Sequence, residues 1–327
     1  MSQITKTRAT EILQTLRARK VLVLGDVMLD EFVWGDVTRI SPEGPVPVVD
    51  VRRESVHLGG AANVLANLIA LGAHGRVVGV IGNDHAGARV REELRQLNHG
   101  GDVGLIVDES RRSTTKTRIV AHNQLVVRAD RESRGAVSAQ LEAQIIEHLK
   151  QGLAEADAFV VSDYDKGVVT PAILREILPF AYGRVPVLID PKLRNFNAYR
   201  PATLVTPNHL EALRMSDSED HSDDGSHAAA RIIQQKLGCD AVLITRGDRG
   251  MMLLERDGEP VFVKTAAREV YDVTGAGDTV IAALATALAA GTSMLEAATL
   301  ANHAAGIVVG KVGTATATAD ELIATFE

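Results

Sequence analysis

The sequence predicts an α/β protein: a mostly parallel central sheet flanked by helices, with a small second β-sheet attached as a lid. Three observations lead there. Apolar runs of strand length alternate with amphipathic stretches of helix length over most of the 327 residues, the pattern of repeated right-handed βαβ units. The inferred strands end in polar clusters, Ser162-Asp163-Tyr164-Asp165-Lys166, Asp190-Pro191-Lys192, Thr206-Pro207-Asn208 and Thr245-Arg246-Gly247-Asp248, which a parallel sheet gathers along one edge. Two patches, about 32–58 and 103–130, lose the helical period and carry short valine-rich runs, so they predict strands outside the main sheet.

Residues 7–18 form an amphipathic helix, and Lys20 to Leu24 the first buried strand, which ends in Gly25-Asp26-Val27-Met28-Leu29-Asp30. A dinucleotide fold would place G-x-G-x-x-G at that strand end, and a single glycine stands there. Asp26 and Asp30 lie just past the carboxyl end of the strand, where they either cap a turn or touch a ligand. Leu58-Gly59-Gly60-Ala61-Ala62-Asn63 then opens a helix with Asn63 and Asn67 on a common face. Paired glycines admit the close approach of a sugar whose hydroxyls Asn63 can bond; the same pair also suits a turn packed for topology alone. A strand over 76–82 and a helix to about Leu97 follow, and Thr114, Lys116, Arg118 and Val120 alternate before a hairpin turn at His122-Asn123-Gln124. Later strands at 158–161, 185–189 and 241–245 and a helix over 171–182 continue the pattern. Asn208 opens a helix with Glu211 three residues on, either a capping box or a water-mediated bracket for Mg²⁺. Residues 215–226, rich in Ser, Asp and Gly, predict an acidic surface loop without a catalytic role.

One stretch carries the chemistry. In Asp272-Val273-Thr274-Gly275-Ala276-Gly277-Asp278-Thr279 an apolar, strand-like run meets the start of a long helix. Glycines 275 and 277 let backbone N–H groups turn toward a ligand, and a helix N-terminus favours an anion there. Asp278 beside such an anion site either complements the helix dipole or accepts a proton from a hydroxyl that attacks phosphate. No Walker A, H-R-D or D-F-G string is present.

Composition narrows the classes. A net charge of −7, a pI near 5.8 and 3% aromatic residues argue against nucleic-acid or acidic-membrane binding. The N-terminus lacks a signal-peptide core, and the alanine-rich apolar runs near 280–290 and 297–309 are too short to span a bilayer. Cys239, the one cysteine, fits a reducing cytoplasm as a small core residue.

Asp272 to Asp278 resembles the C-terminal signature of the ribokinase-like (PfkB) carbohydrate kinases, and Gly59-Gly60-Ala61-Ala62-Asn63 resembles their N-terminal sugar-binding signature. Gly82 to Gly87, Asn208 to Glu211 and Thr245 to Gly250 extend the likeness over most of the chain. The resemblance implies a ribokinase-like three-layer sandwich over 1–327, with Asp278 as catalytic base and Gly275, Ala276 and Gly277 as anion hole. It assigns Asn208, Glu211, Thr245 and Gly247 to the nucleotide, Glu211 also to Mg²⁺, and Asp30, Gly59, Gly60 and Asn63 to the sugar. ATP and Mg²⁺ are the implied co-substrate and metal, with a monovalent cation, potassium, held by Asp272 near Gly310 to Gly313. Within the family, Arg39 to Glu43, Pro45 to Val49, Ser162-Asp163-Tyr164, Leu188 to Lys192 and Glu269 to Thr274 resemble the kinases that phosphorylate D-glycero-β-D-manno-heptose 7-phosphate at its anomeric hydroxyl. Some such relatives carry a following adenylyltransferase domain; without an H-x-G-H-type motif after Asp278, the likeness implies the kinase step. The substrate's own phosphate then requires a basic residue among Lys116, Arg118, Arg128, Lys166 and Lys192, with Lys116 and Lys192 preferred. Another sugar-phosphate or nucleoside kinase and a non-catalytic ligand-binding regulator are the competing readings. Exposed lid edges further predict a homodimer that pairs two lids.

Overall fold

A β-strand buried on both faces must send alternate side chains into two different cores, and the first strand does so. The computed structural model describes residues 4–98, 104–122 and 124–326. The chain begins with α1 (Lys6–Leu16) and β1 (Lys20–Gly25), in which Val21 and Val23 enter one core while Leu22 and Leu24 enter the other. Two long strands follow, β2 (Val27–Ile40) and β3 (Pro47–Gly60), then α2 (Ala61–Ala70), β4 (His74–Gly82), α3 (His85–Leu97) and β5 (Leu105–Asp108). The pair β6 (Thr114–Ala121) and β7 (Gln124–Arg131) precedes α4 (Ala139–Leu153), β8 (Ala158–Ser162), α5 (Pro171–Ala181), β9 (Val187–Asp190) and β10 (Leu204–Val205). The C-terminal third comprises α6 (His209–Ser216), α7 (Asp223–Leu237), β11 (Ala241–Thr245), β12 (Met251–Glu255), β13 (Val261–Val263), α8 (Ala276–Ala289), α9 (Met294–Val308) and α10 (Ala319–Ile323).

The nine-stranded sheet runs β13-β12-β11-β10-β9-β8-β1-β4-β5, parallel from β11 through β5 and antiparallel at β12 and β13. One core packs α1, α2, α8 and α9 on one face, and the other packs α4, α5 and α7 on the opposite face. This is the expected three-layer sandwich. A four-stranded sheet, β3-β2-β6-β7, forms the lid.

Three expectations need correction. Leu105–Asp108 pairs with β4 in the main sheet, so only β6 and β7 of the 103–130 patch belong to the lid; four apolar residues are too few to reveal their partner. The 215–226 stretch is not one loop: α6 reaches Ser216, and Ser222 caps α7 through Gly225 N–H at 3.0 Å, with Asp223 and Asp224 complementing the dipole of its first turn. The run before Gly275 is irregular backbone rather than strand, since β13 ends at Val263. Asn123 of the expected lid turn and Val103 lie outside the described residues.

Because β1, β8, β9, β10 and β11 are parallel, their carboxyl ends share one edge. Asp26, Tyr164, Asp190, Asn208 and Arg246 lie there, and the N-terminus of α8 approaches them across the top of β8 and β9.

Candidate active site

Gly275 caps α8 in the left-handed conformation, φ 79°, and begins a 14-residue helix. A Cβ on Gly275 would lie 2.6 Å from the Asn63 amide nitrogen, so glycine is required twice over, by conformation and by space. Gly277 is open: a Cβ there meets nothing within 4 Å. The Ala276 N–H donates to the Val273 carbonyl at 3.2 Å, whereas the Gly275 and Gly277 N–H groups have no acceptor among the described residues. The Asp278 N–H likewise has none, so the turn offers three free donors to an anion.

Asp278 sits one residue further on and is 2% exposed. Its Oδ2 accepts the Asn63 amide at 2.9 Å and its Oδ1 accepts the Tyr164 hydroxyl at 2.7 Å. Burial pushes its carboxyl up to about 7, against the lowering effect of both hydrogen bonds. Asn63 is itself braced by the Asn67 amide, which donates to its carbonyl at 2.9 Å, and Asn67 accepts the Thr279 hydroxyl at 2.8 Å. The i, i+4 asparagines thus tie α2 to the first turn of α8.

The two glycines before α2 act indirectly. Where a Cβ on Gly59 would stand, the Asp30 carboxylate already lies 2.3 Å away; Gly60, φ 58°, would bring its Cβ 2.4 Å from the Asp26 carbonyl. Gly59 therefore makes room for Asp30, whose buried carboxylate is paired with Arg118 of β6. Arg118 also lies over the Phe32 ring, 5.2 Å from its centroid.

The remaining expected residues fall along the shared edge. Asn208 caps α6 in a reciprocal box with Glu211, at 2.9 and 3.0 Å, and bridges Thr245 in parallel fashion. Gly247, φ 59°, starts the short 3₁₀ turn after β11 and faces open space. Glu211 uses its other oxygen on Lys192, so both carboxylate oxygens are engaged. Lys192 also approaches the Tyr164 ring at 5.5 Å, which links the Asn208 end of the edge to Asp278. Asp190 beside it is pushed up to about 8 by burial, with Lys192 pulling the other way. Asp272 joins its own turn to the 310–314 loop by accepting Thr274 N–H at 2.9 Å and Gly313 N–H at 3.0 Å. Those oxygens keep lone pairs for a cation, but among the described residues no cluster of three or more His, Cys, Asp or Glu is poised for a metal. A cavity of about 780 Å³ adjoins this turn, lined by Lys264, Tyr271, His303, Gly306, Gly310 and Thr325 among others.

Of the five basic candidates, Arg118, Arg128, Lys166 and Lys192 each hold a carboxylate. Lys116 has no ion-pair partner among the described residues. Burial lowers its ammonium pKa, Asp30 opposes that, and Lys166 and Arg128 add repulsion. Sequence reasoning flagged Asp26 as either a turn cap or a ligand contact, and gave Tyr164 and Asp190 no role in the site. The signals for Tyr164 and Asp190 were the repetition of polar residues at strand ends and their place in the Ser162-Asp163-Tyr164 and Leu188 to Lys192 stretches.

A family model described as pfkB family carbohydrate kinase matches residues 18–321. The chain belongs to the pfkB family of carbohydrate kinases. Members of this family are phosphotransferases with an alcohol group as acceptor. Curated relatives include proteins named "Bifunctional protein HldE" from Pelobacter propionicus, 45% identical over 95% of this chain, and from Trichlorobacter lovleyi, 48% identical over 96%. The chain spans only 64% of the length of each of these relatives. Among solved structures, Escherichia coli phosphofructokinase-2 in complex with potassium matches with a TM-score of 0.80 over 94% of this chain and 98% of its own, at 18% identity. Arabidopsis thaliana ribokinase complexed with ribose and ATP matches with a TM-score of 0.74 over 95% of this chain and 99% of its own, also at 18% identity. At that identity the structural likeness speaks for the fold. Among the described residues no helix is long and apolar enough to cross a membrane.

Proposed function

We propose that this pfkB-family chain is an ATP-dependent kinase that phosphorylates the anomeric hydroxyl of D-glycero-β-D-manno-heptose 7-phosphate. The product is the 1,7-bisphosphate, a precursor for the inner core of lipopolysaccharide. The observation that carries the phosphoryl-transfer reading is Asp278, a desolvated carboxyl pushed up to about 7, beside unpaired N–H groups at a helix N-terminus, while the identity of the sugar rests on the likeness to the HldE relatives. Such a group is matched to take a proton near neutral pH. In the step, Asp278 accepts the hydroxyl proton, the freed oxygen bonds to the γ-phosphorus of ATP, and the bond to the ADP oxygen breaks. The Gly275 and Gly277 N–H groups meet the charge on the transferring phosphoryl group.

The nucleotide is assigned to Asn208, Glu211, Thr245, Gly247 and the 780 Å³ cavity, the sugar to Asp30 and Asn63, with Gly59 and Gly60 shaping that pocket. When bound, Mg²⁺ would neutralise nucleotide oxygens, with Glu211 as a water-mediated contact once Lys192 releases it; potassium would sit by Asp272. Lys116 receives the sugar's 7-phosphate, supported by its lack of an ion-pair partner and its basic neighbours Lys166 and Arg128. The reading also includes a cytoplasmic homodimer that pairs lids through β7, whose residues are all exposed and include Leu125 and Val127.

The identity of the acceptor is tested by ADP release with a panel of sugars. The heptose 7-phosphate should be the preferred acceptor. Turnover with fructose 1-phosphate or adenosine and none with the heptose phosphate would sink the substrate assignment while leaving the kinase reading intact. Light scattering at micromolar concentration checks the dimer.

A further inference from the structure

The polar loop after β8 does more than solvate a strand end. At the end of β1, buried Asp26 accepts the backbone N–H groups of Tyr164 at 2.8 Å, Lys166 at 3.1 Å and Val168 at 3.1 Å. Its neighbour Asp163 is held by the Tyr199 hydroxyl at 2.6 Å and the Asn195 amide at 2.7 Å. The backbone on either side of Tyr164 is thereby clamped to the sheet. Its half-buried phenol donates to Asp278 Oδ1 at 2.7 Å, while Lys192 and Lys116 place their ammonium groups 5.5 and 5.9 Å from the ring centroid.

We propose that Tyr164 is a positioning residue for phosphoryl transfer, its hydroxyl fixing the plane of the Asp278 carboxylate so that a free lone pair faces the acceptor hydroxyl. The terminal torsion of an aspartate is broad, so one donor on one oxygen leaves the carboxylate plane loosely set. Asn63 on Oδ2 and Tyr164 on Oδ1 together fix it, and each oxygen retains a second lone pair. Burial and the neighbouring Asp278 hold the phenol well above its usual range, so Tyr164 stays a donor wherever Asp278 titrates. The bond favours the charged carboxylate and so works against desolvation.

This proposal rests on the kinase reading with Asp278 as the base. Tyr164→Phe keeps the ring and removes only the hydroxyl. The measurement is the pH dependence of kcat/KM and kcat for ADP release by the full chain, with the heptose 7-phosphate as acceptor. Loss of a hydrogen bond to a charged group should move the acidic limb of kcat/KM up by about one pH unit and lower kcat near neutrality about tenfold. The KM for the sugar should stay within about twofold, because the acceptor contacts are kept. A variant with less activity but an acidic limb in the wild-type place would show a merely structural residue and overturn the proposal. If the wild-type chain transfers phosphate to no sugar, the parent reading falls as well; an active wild type with an unmoved limb overturns the Tyr164 role alone.

Discussion

Replacing the proposed base should make the protein more stable and less active at once. Asp278 is 2% exposed, and its carboxyl is pushed from 3.8 to about 7. A folded-state value above the unfolded one means that the folded chain binds the extra proton, so the contribution of Asp278 is intact below about pH 4 and is lost as pH rises through 7. The full shift corresponds to about 4 kcal/mol above pH 7, an upper figure for so enclosed a group. In Asp278→Asn the side-chain carbonyl still accepts the Asn63 amide, and its NH₂ can donate to the Tyr164 oxygen. The Tyr164 O–H then loses its acceptor, which offsets part of the gain. Thermal unfolding from pH 4 to 8 should therefore show the variant gaining on the wild type with rising pH, by about 5 °C at pH 8. Turnover should fall by about 10²- to 10⁴-fold while nucleotide and sugar still bind. A stability difference that stays flat across that pH range would refute the claim that the carboxylate is held against its desolvation cost, and unchanged turnover would remove Asp278 from catalysis.

Other outcomes follow from the same geometry. Gly275→Ala forces a left-handed alanine and drives its Cβ into the Asn63 amide, so stability should fall by about 1–2 kcal/mol with at least a tenfold loss of kcat, read by denaturation and steady-state kinetics. Gly59→Ala would displace the Asp30 carboxylate from 2.3 Å; the KM for the sugar should rise while that for ATP stays put. Lys116→Met should raise the KM for a phosphorylated sugar about 10- to 100-fold and spare an unphosphorylated acceptor, the loss of one charged contact.

The turn at 272–279 was legible because its chemistry is local: two glycines, a helix start and two carboxylates lie within eight residues. The α/β layering was legible for a similar reason, since each βαβ unit repeats the same change of period. Tyr164 was not, because its partner Asp278 lies 114 positions away and nothing near Tyr164 announces that contact. The pairing of Lys192 with Glu211 likewise depends on the turn after β9 and α6 meeting in space, and it changes the meaning of both residues. Gly59 shows a subtler limit: the need for glycine was readable, but the group that fills its empty space, Asp30, comes from the neighbouring strand.

The lid is rooted without a connecting loop. β2 starts two residues after β1 ends, and β3 runs straight into α2, so Asp30, Gly59 and Asn63 ride on backbone continuous with the outer lid. The register breaks of β2 lie further out, between Trp34 and Gly35 and between Val37 and Arg39. A bend at those breaks would tilt the outer strands and leave Val27 to Val33 in place. A lid that closed by bending there would behave as a jaw hinged beyond its gum, and the spacing around the proposed base would be kept.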